Sequence, residues 1–95
     1  MSQVAVLVHL PGVLAPLAAG RSRVALGRCS DVGAALAALF ALHPGLRDRI
    51  QNERGEVRPH VNVFVGSENV RDLRGLETPL EDGAEVHILP AVSGG

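Results

Sequence analysis

The amino-acid sequence predicts an α+β domain in which one main helix packs on one face of a mixed sheet of four to five strands. Three observations support this fold class. The chain has 95 residues, which is enough for one domain. Several short segments alternate apolar and polar residues, and a single segment has helical apolar spacing. Aromatic residues make up 2% of the chain, so the core must be aliphatic.

The first two strands are predicted to form a hairpin with a wide loop. The first runs from about Gln3 to Leu10, and its alternation favours a strand over a targeting helix. Pro11-Gly12 ends this strand. The second runs from about Arg23 to Gly27; it is short, and its flanking arginines suit an edge position.

The main helix is predicted to begin after Ser30, a favourable N-cap, and to end near Leu42. Asp31 would place a carboxylate in the first turn, where it suits the helix dipole. Pro44-Gly45 ends the helix. The apolar stripe that should face the sheet consists of Val32, Leu36, Leu39 and Phe40.

The second half of the chain is predicted to add two strands. Residues 45–59 are polar and indicate a loop, and the third strand is His60 to Gly66. Residues 68–82 are predicted to be irregular, and Asp82-Gly83 forms a turn before the last strand, Glu85 to Leu89. The first and last strands are rich in Val and Ile, which favours central positions. The leucines expected to anchor the irregular segment in the core are Leu73, Leu76 and Leu80.

The domain is assigned to residues 1–90, and residues 91–95 are predicted to be a flexible tail of small residues. Nine basic and 10 acidic residues give a net charge of −1, which argues against nucleic-acid binding, as does the lack of aromatic platforms. A single cysteine excludes an internal disulfide, so a cytoplasmic location is expected. The apolar runs are too short to cross a membrane.

Four side chains resemble reactive groups and are predicted to be inert. His9, His60 and His87 share the outward strand parity, but solvated surface histidines are expected here rather than a metal site. Cys29 precedes the helix, where a dipole can lower the pKa of a thiol. We expect a structural role for it, because no His-Asp pair is evident.

Three segments carry a resemblance to a known family: Val61-Asn62-Val63, Asp82-Gly83-x-Glu85-Val86, and the ending Leu89-Pro90-Ala91-Val92-Ser93-Gly94-Gly95. With the order of elements, they resemble the ubiquitin-like β-grasp sulfur carriers. That family includes the small subunit of molybdopterin synthase and the thiamine-pathway and cysteine-biosynthesis carriers. The Asn69-Val70-Arg71 region and the ending look most similar to the cysteine-biosynthesis type. Ala84 and Ser93 depart from the family pattern at positions that do not touch the chemistry.

The resemblance implies a carrier that is not itself an enzyme and binds no cofactor. The C-terminal carboxylate of Gly95 would be adenylated by a ubiquitin-activating-type adenylyltransferase that uses ATP. A sulfur donor would then displace AMP and leave a thiocarboxylate for a sulfur-accepting synthase. The family also allows a deconjugating metalloprotease as a partner. Gly94 and Gly95 have no side chains, so an extended tail could enter a narrow channel.

The predicted docking surface is the sheet face opposite the helix. By strand parity, Leu7, Phe64 and Leu89 point to this face, and exposed apolar clusters often mark protein interfaces. Pro90, Val92 and Ser93 of the ending complete the predicted partner contacts. Alternatively, the loop residues Val13 and Leu14 cover these side chains and form a small satellite core.

Three other functions remain open from the sequence. The chain could be a ubiquitin-like modifier that is conjugated through Gly95 to a target lysine. It could be the small subunit of molybdopterin synthase, held in a stable complex with a catalytic subunit. It could also be a β-grasp interaction module with a vestigial tail.

Overall fold

The computed structural model describes residues 6–90 as one five-stranded mixed sheet with helices packed against it. The strand order is β2-β1-β5-β3-β4. The strands are β1 (Val6–His9), β2 (Arg23–Leu26), β3 (Val61–Val65), β4 (Glu68–Asn69) and β5 (Glu85–Pro90). The helices are α1 (Val32–Leu42) and α2 (Arg47–Ile50). This confirms the predicted α+β fold, with the first and last strands central and the second strand at an edge.

The last strand, β5, is the centre of the sheet. It pairs in parallel with β1, where Val8 lies opposite Val86, and antiparallel with β3, where Val63 lies opposite Ile88. It extends one residue beyond the predicted end, because Pro90 lies opposite Val61. The chain therefore leaves the sheet from a strand that is hydrogen-bonded on both sides.

The core lies between α1 and one face of the sheet, and it is aliphatic as expected. Alternate residues of β1, β3 and β5 are buried up to Val63 in β3 and Ile88 in β5, as are the sheet-facing residues of α1. The fully buried side chains include Val6, Val8, Leu36, Leu39, Val63, Val86 and Ile88. Among residues 6–90, no helix is both long and apolar enough to cross a membrane.

The start of α1 differs from the prediction by one residue. Asp31, not Ser30, is the N-cap: its backbone is extended, and its Oδ1 accepts a hydrogen bond of 2.8 Å from the backbone N–H of Ala34. A carboxylate makes a stronger, charge-assisted bond to a helix N-terminus than a hydroxyl group does. In the apolar stripe, Phe40 is only half-buried.

The prediction of a polar loop over residues 45–59 was wrong for its first part. A short 3-10 turn, Pro44–Leu46, leads directly into α2. Leu46 and Ile50 lie four residues apart and are fully buried. The segment was missed because two apolar residues separated by Arg47, Asp48 and Arg49 are too few to show a helical period.

Residues 68–82 contain more regular secondary structure than predicted, and the prediction that Leu73 lies in the core was wrong. Leu73 is 39% exposed, whereas Leu76 and Leu80 pack against the core as partly buried side chains. The buried residues are Val70 and Thr78 instead. The chain turns through a 3-10 helix, Val70–Asp72, and this turn directs Val70 inward and leaves Leu73 outside.

Candidate functional site

The candidate site begins where β5 ends, at Pro90. The predicted working residues Gly94 and Gly95, and the predicted contacts Val92 and Ser93, lie outside the described residues. Their roles therefore remain predictions. The structure describes the base from which these residues extend.

A small pocket of about 130 Å³ lies at this base. Its lining comes from the loop after β1, from α2 and from the ends of β3 and β5, and it includes Val13, Leu14, Arg49, His60, Leu89 and Pro90. Val13 is 76% exposed and Leu89 is 45% exposed. The chain thus leaves the sheet beside an accessible apolar surface, to which Arg49 adds a positive charge.

The three predicted docking residues lie on the same open face of the sheet but not in one patch. Phe64 lies opposite His87 across the β3–β5 pair, so Phe64 and Leu89 are diagonal neighbours, a relation that places Cα atoms about 7–8 Å apart. Leu7 lies on the other side of β5, opposite Glu85. Of the three predicted docking residues, Leu89 and its diagonal neighbour Phe64 are therefore the two that lie near the tail.

The loop after β1 does not cover Leu89. Leu14 packs against the core as a partly buried side chain, while Val13 stays exposed at the pocket beside Leu89. The alternative satellite core would have buried Leu89, but Leu89 remains exposed. Leu7 and Phe64 are half-buried on the same face.

The open face also carries a polar cluster: the sequence placed His9 and His87 on this face, but Glu85 and the contact among the three side chains were missed. His9 Nε2 lies 2.7 Å from Glu85 Oε1, and the imidazole rings of His9 and His87 stack with centroids 4.3 Å apart. His60 lies elsewhere, in the pocket at the base of the tail. The sequence signal for this cluster was the Glu85-x-His87 spacing, because residues two apart in a strand lie on the same face.

Asn62, Asn69 and Arg71, which contributed to the family resemblance, form a hydrogen-bond network at the start of β3. The Arg71 guanidinium donates to Asn62 Oδ1 at 2.8 Å and to the carbonyl groups of Arg58 and Val61 at 2.9 and 2.8 Å. Asn69 Nδ2 donates to the same Asn62 oxygen at 3.2 Å. The network positions the strand that pairs with the end of β5.

Cys29 is not activated by the nearby helix. Burial raises the pKa of its thiol, and the Asp31 carboxylate raises it further. The thiol donates to the carbonyl group of Gly27 over 3.4 Å. The possibility that the helix dipole lowers the thiol pKa was therefore wrong, and a structural role fits this group better.

The sequence pattern of the ThiS family matches residues 8–95. A curated relative, "Sulfur carrier protein CysO" of Mycobacterium tuberculosis, is 36% identical over 92 residues, which span 95% of this chain and 98% of the relative. "Small archaeal modifier protein 3" of Haloferax volcanii is 45% identical over 66 residues, which span 70% of this chain and 71% of the relative.

Solved structures show that the similarity extends to the fold of most of the chain. A chain in the crystal structure of the Amycolatopsis orientalis BexX/CysO complex has a TM-score of 0.86 and 33% identity, with 96% of this chain and 100% of that chain covered. Mycobacterium tuberculosis CysO has a TM-score of 0.85 and 35% identity, with 92% of this chain and 99% of that chain covered.

Proposed function

The chain belongs to the ThiS family, and we propose that it is a sulfur carrier that works through a thiocarboxylate on Gly95. One observation carries the proposal: the family match runs to residue 95 and so includes Gly94 and Gly95. The likeness to carriers named CysO supports cysteine biosynthesis as the pathway that the sulfur enters. The proposal requires that Gly95 carries a free carboxylate in the working protein.

The proposed chemistry has two steps and no change of oxidation state. In the first, a carboxylate oxygen of Gly95 attacks the α-phosphorus of ATP, and the bond to pyrophosphate breaks. In the second, hydrosulfide attacks the carbonyl carbon of the acyl-adenylate, the bond to AMP breaks, and one proton is released. The product is a thiocarboxylate, whose sulfur is then the nucleophile toward an acceptor on a synthase.

ATP and the groups that activate it belong to a partner adenylyltransferase in this proposal. The five residues after Pro90 extend at most about 3.6 Å each, so Gly95 reaches no farther than roughly 18 Å from the sheet. The partner must therefore hold the end of β5 close to its own nucleotide site. Leu89 lies at this end, with Phe64 as its diagonal neighbour opposite His87, and the two provide the apolar contact that offsets the entropy lost by the tail.

A second candidate function is protein modification through Gly95, which the likeness to small archaeal modifier proteins supports. The activation step is common to both functions, and the fate of the acyl-adenylate separates them. In a modifier, a target lysine attacks the activated carbonyl carbon, and an isopeptide bond replaces the bond to AMP. This chain contains no lysine, so it cannot build chains on itself through lysine.

The decisive experiment is intact mass spectrometry after incubation of the chain with an activating enzyme, ATP and sulfide. We expect a mass gain equal to the replacement of one oxygen atom by sulfur, and fragmentation should locate it at Gly95. Deletion of Gly95 should abolish the gain, whereas Leu42→Ala should retain it. Leu42 is a suitable control because it is exposed at the end of α1, outside the tail and the pocket at its base.

Two results would contradict the proposal. One is an unmodified terminus with an activating enzyme that works on another carrier in the same assay, which would favour the interaction module. The other is recovery from cells of lysine-linked conjugates without any thiocarboxylate, which would favour the modifier.

A further inference from the structure

The His9–Glu85–His87 cluster on the open face has no part in the proposed sulfur chemistry. Its ligand atoms, one from each side chain, lie within 4.8 Å of one another. We propose that these three side chains bind one Zn²⁺ ion, with a fourth coordination position open to solvent.

The sheet itself arranges the three ligands. The parallel pairing of β1 with β5 places His9 directly beside His87, and Glu85 precedes His87 by two residues on the same face. Both strands are interior strands of the sheet and are paired on each side. The backbone under the cluster is therefore rigid, so metal binding needs side-chain rotations and no backbone movement.

The donor set suits zinc in both type and number. Two imidazole nitrogens and one carboxylate oxygen bind zinc at about 2.0–2.2 Å, and three protein ligands with one open position are typical of accessible zinc sites. Ligand atoms bonded at these lengths in a tetrahedral site lie about 3.3 Å apart. The ligand atoms already lie within 4.8 Å of one another, but the rings of His9 and His87 are stacked with their planes 10° apart, so the stack must open and both rings must rotate to direct a nitrogen at one ion. Two nitrogen ligands disfavour Mg²⁺, which prefers oxygen.

The local charges and the competing contacts are also compatible with a bound cation. Glu85 supplies a negative charge, while Arg23, opposite His9 on β2, adds a positive charge that extends into solvent. The hydrogen bond between His9 and Glu85 must break when the metal binds. It is an exposed contact, with side-chain exposures of 27% and 53%, so its loss costs little.

The test is titration of the full chain, carrying no histidine tag, with Zn²⁺ and with Co²⁺ as a visible probe. We expect one ion per chain and the absorption of tetrahedral Co²⁺. His9→Gln, Glu85→Gln and His87→Gln should each weaken binding by about tenfold or more, since even the loss of an outer-shell partner costs about 10–100-fold. His60→Gln is the matched control because His60 is exposed in the turn before β3 and lies outside the cluster.

A direct readout on the unaltered chain removes any dependence on the folding of the variants. Zn²⁺ should shift the imidazole ¹⁵N resonances of His9 and His87, leave those of His43 and His60 in place, and raise the thermal midpoint by mass action. Mg²⁺ should have no such effect. The proposal is overturned by the absence of saturable binding, by shifts at His60 instead of His9 and His87, or by equal weakening in His60→Gln.

Discussion

The two faces of β5 differ sharply, although their residues alternate along one strand. Val86 and Ile88 are fully buried under α1, while Leu89 on the opposite face is 45% exposed. The covered face is aliphatic, whereas the open face combines the apolar pair Phe64 and Leu89 with a histidine–carboxylate cluster. The difference indicates that the two faces have separate roles. The covered face stabilises the fold, and the open face is available for binding.

The largest expected effect comes from breaking the covered face at Ile88. Ile88→Ala should lower the free energy of unfolding by about 2–5 kcal/mol, because it leaves a cavity under the helix. Leu89→Ala, one residue away, should change it by at most about 0.5 kcal/mol. In the activation assay, Leu89→Ala should raise the KM for the carrier, because it removes the apolar contact near the tail. Urea unfolding and activation kinetics measure the two effects.

The two faces would not have separate roles if Leu89→Ala destabilised the fold as much as Ile88→Ala. The docking role of Leu89 would fail if its variant were activated with an unchanged KM. Leu42→Ala serves as a control for the kinetics, since Leu42 is an exposed leucine on α1, outside the pocket beside the tail.

The second effect concerns Arg71, whose side chain stabilises the strand beside the tail. Arg71→Ala removes three hydrogen bonds, and we expect a loss of about 1–2 kcal/mol of unfolding free energy. Arg71→Lys should recover less than half of this loss, because an ammonium group lacks the planar fork. Thermal unfolding of the two variants tests this, with Arg74→Ala as a control on the same segment. Equal stability of Arg71→Lys and the unaltered chain would contradict the role of the fork.

The smallest effect is expected at Cys29, a partly buried side chain on the covered side. Burial raises its thiol pKa, so the folded chain holds the proton more tightly than the unfolded chain does. As pH rises through the ordinary thiol range, the unfolded chain ionises first, and folding stability should fall slightly. Alkylation by iodoacetamide should be severalfold slower in the native chain than in urea, and the midpoint of the rate against pH should lie at a higher pH in the native chain. A native midpoint at or below the midpoint in urea would contradict this prediction.

Much of the fold could be read from local patterns. Strict alternation predicted β1, β3 and β5 and the faces of their side chains, and the spacing of Val32, Leu36 and Leu39 predicted α1. These patterns hold because a strand or helix shows its buried face through its own period. The short helix α2 escaped this reasoning because Leu46 and Ile50 alone do not establish a period.

The sequence by itself therefore determined the fold class, the order of the main helix and of four strands, and the parity that places Phe64 and Leu89 on the open face. It also carried the family resemblance in its last residues. Only the tertiary structure decided which side chains of that face meet. His9 and Glu85 lie 76 residues apart in the chain, and their contact depends on the parallel register of β1 with β5. The period of two fixes which face each side chain takes, but it does not say which residue of a distant strand lies opposite.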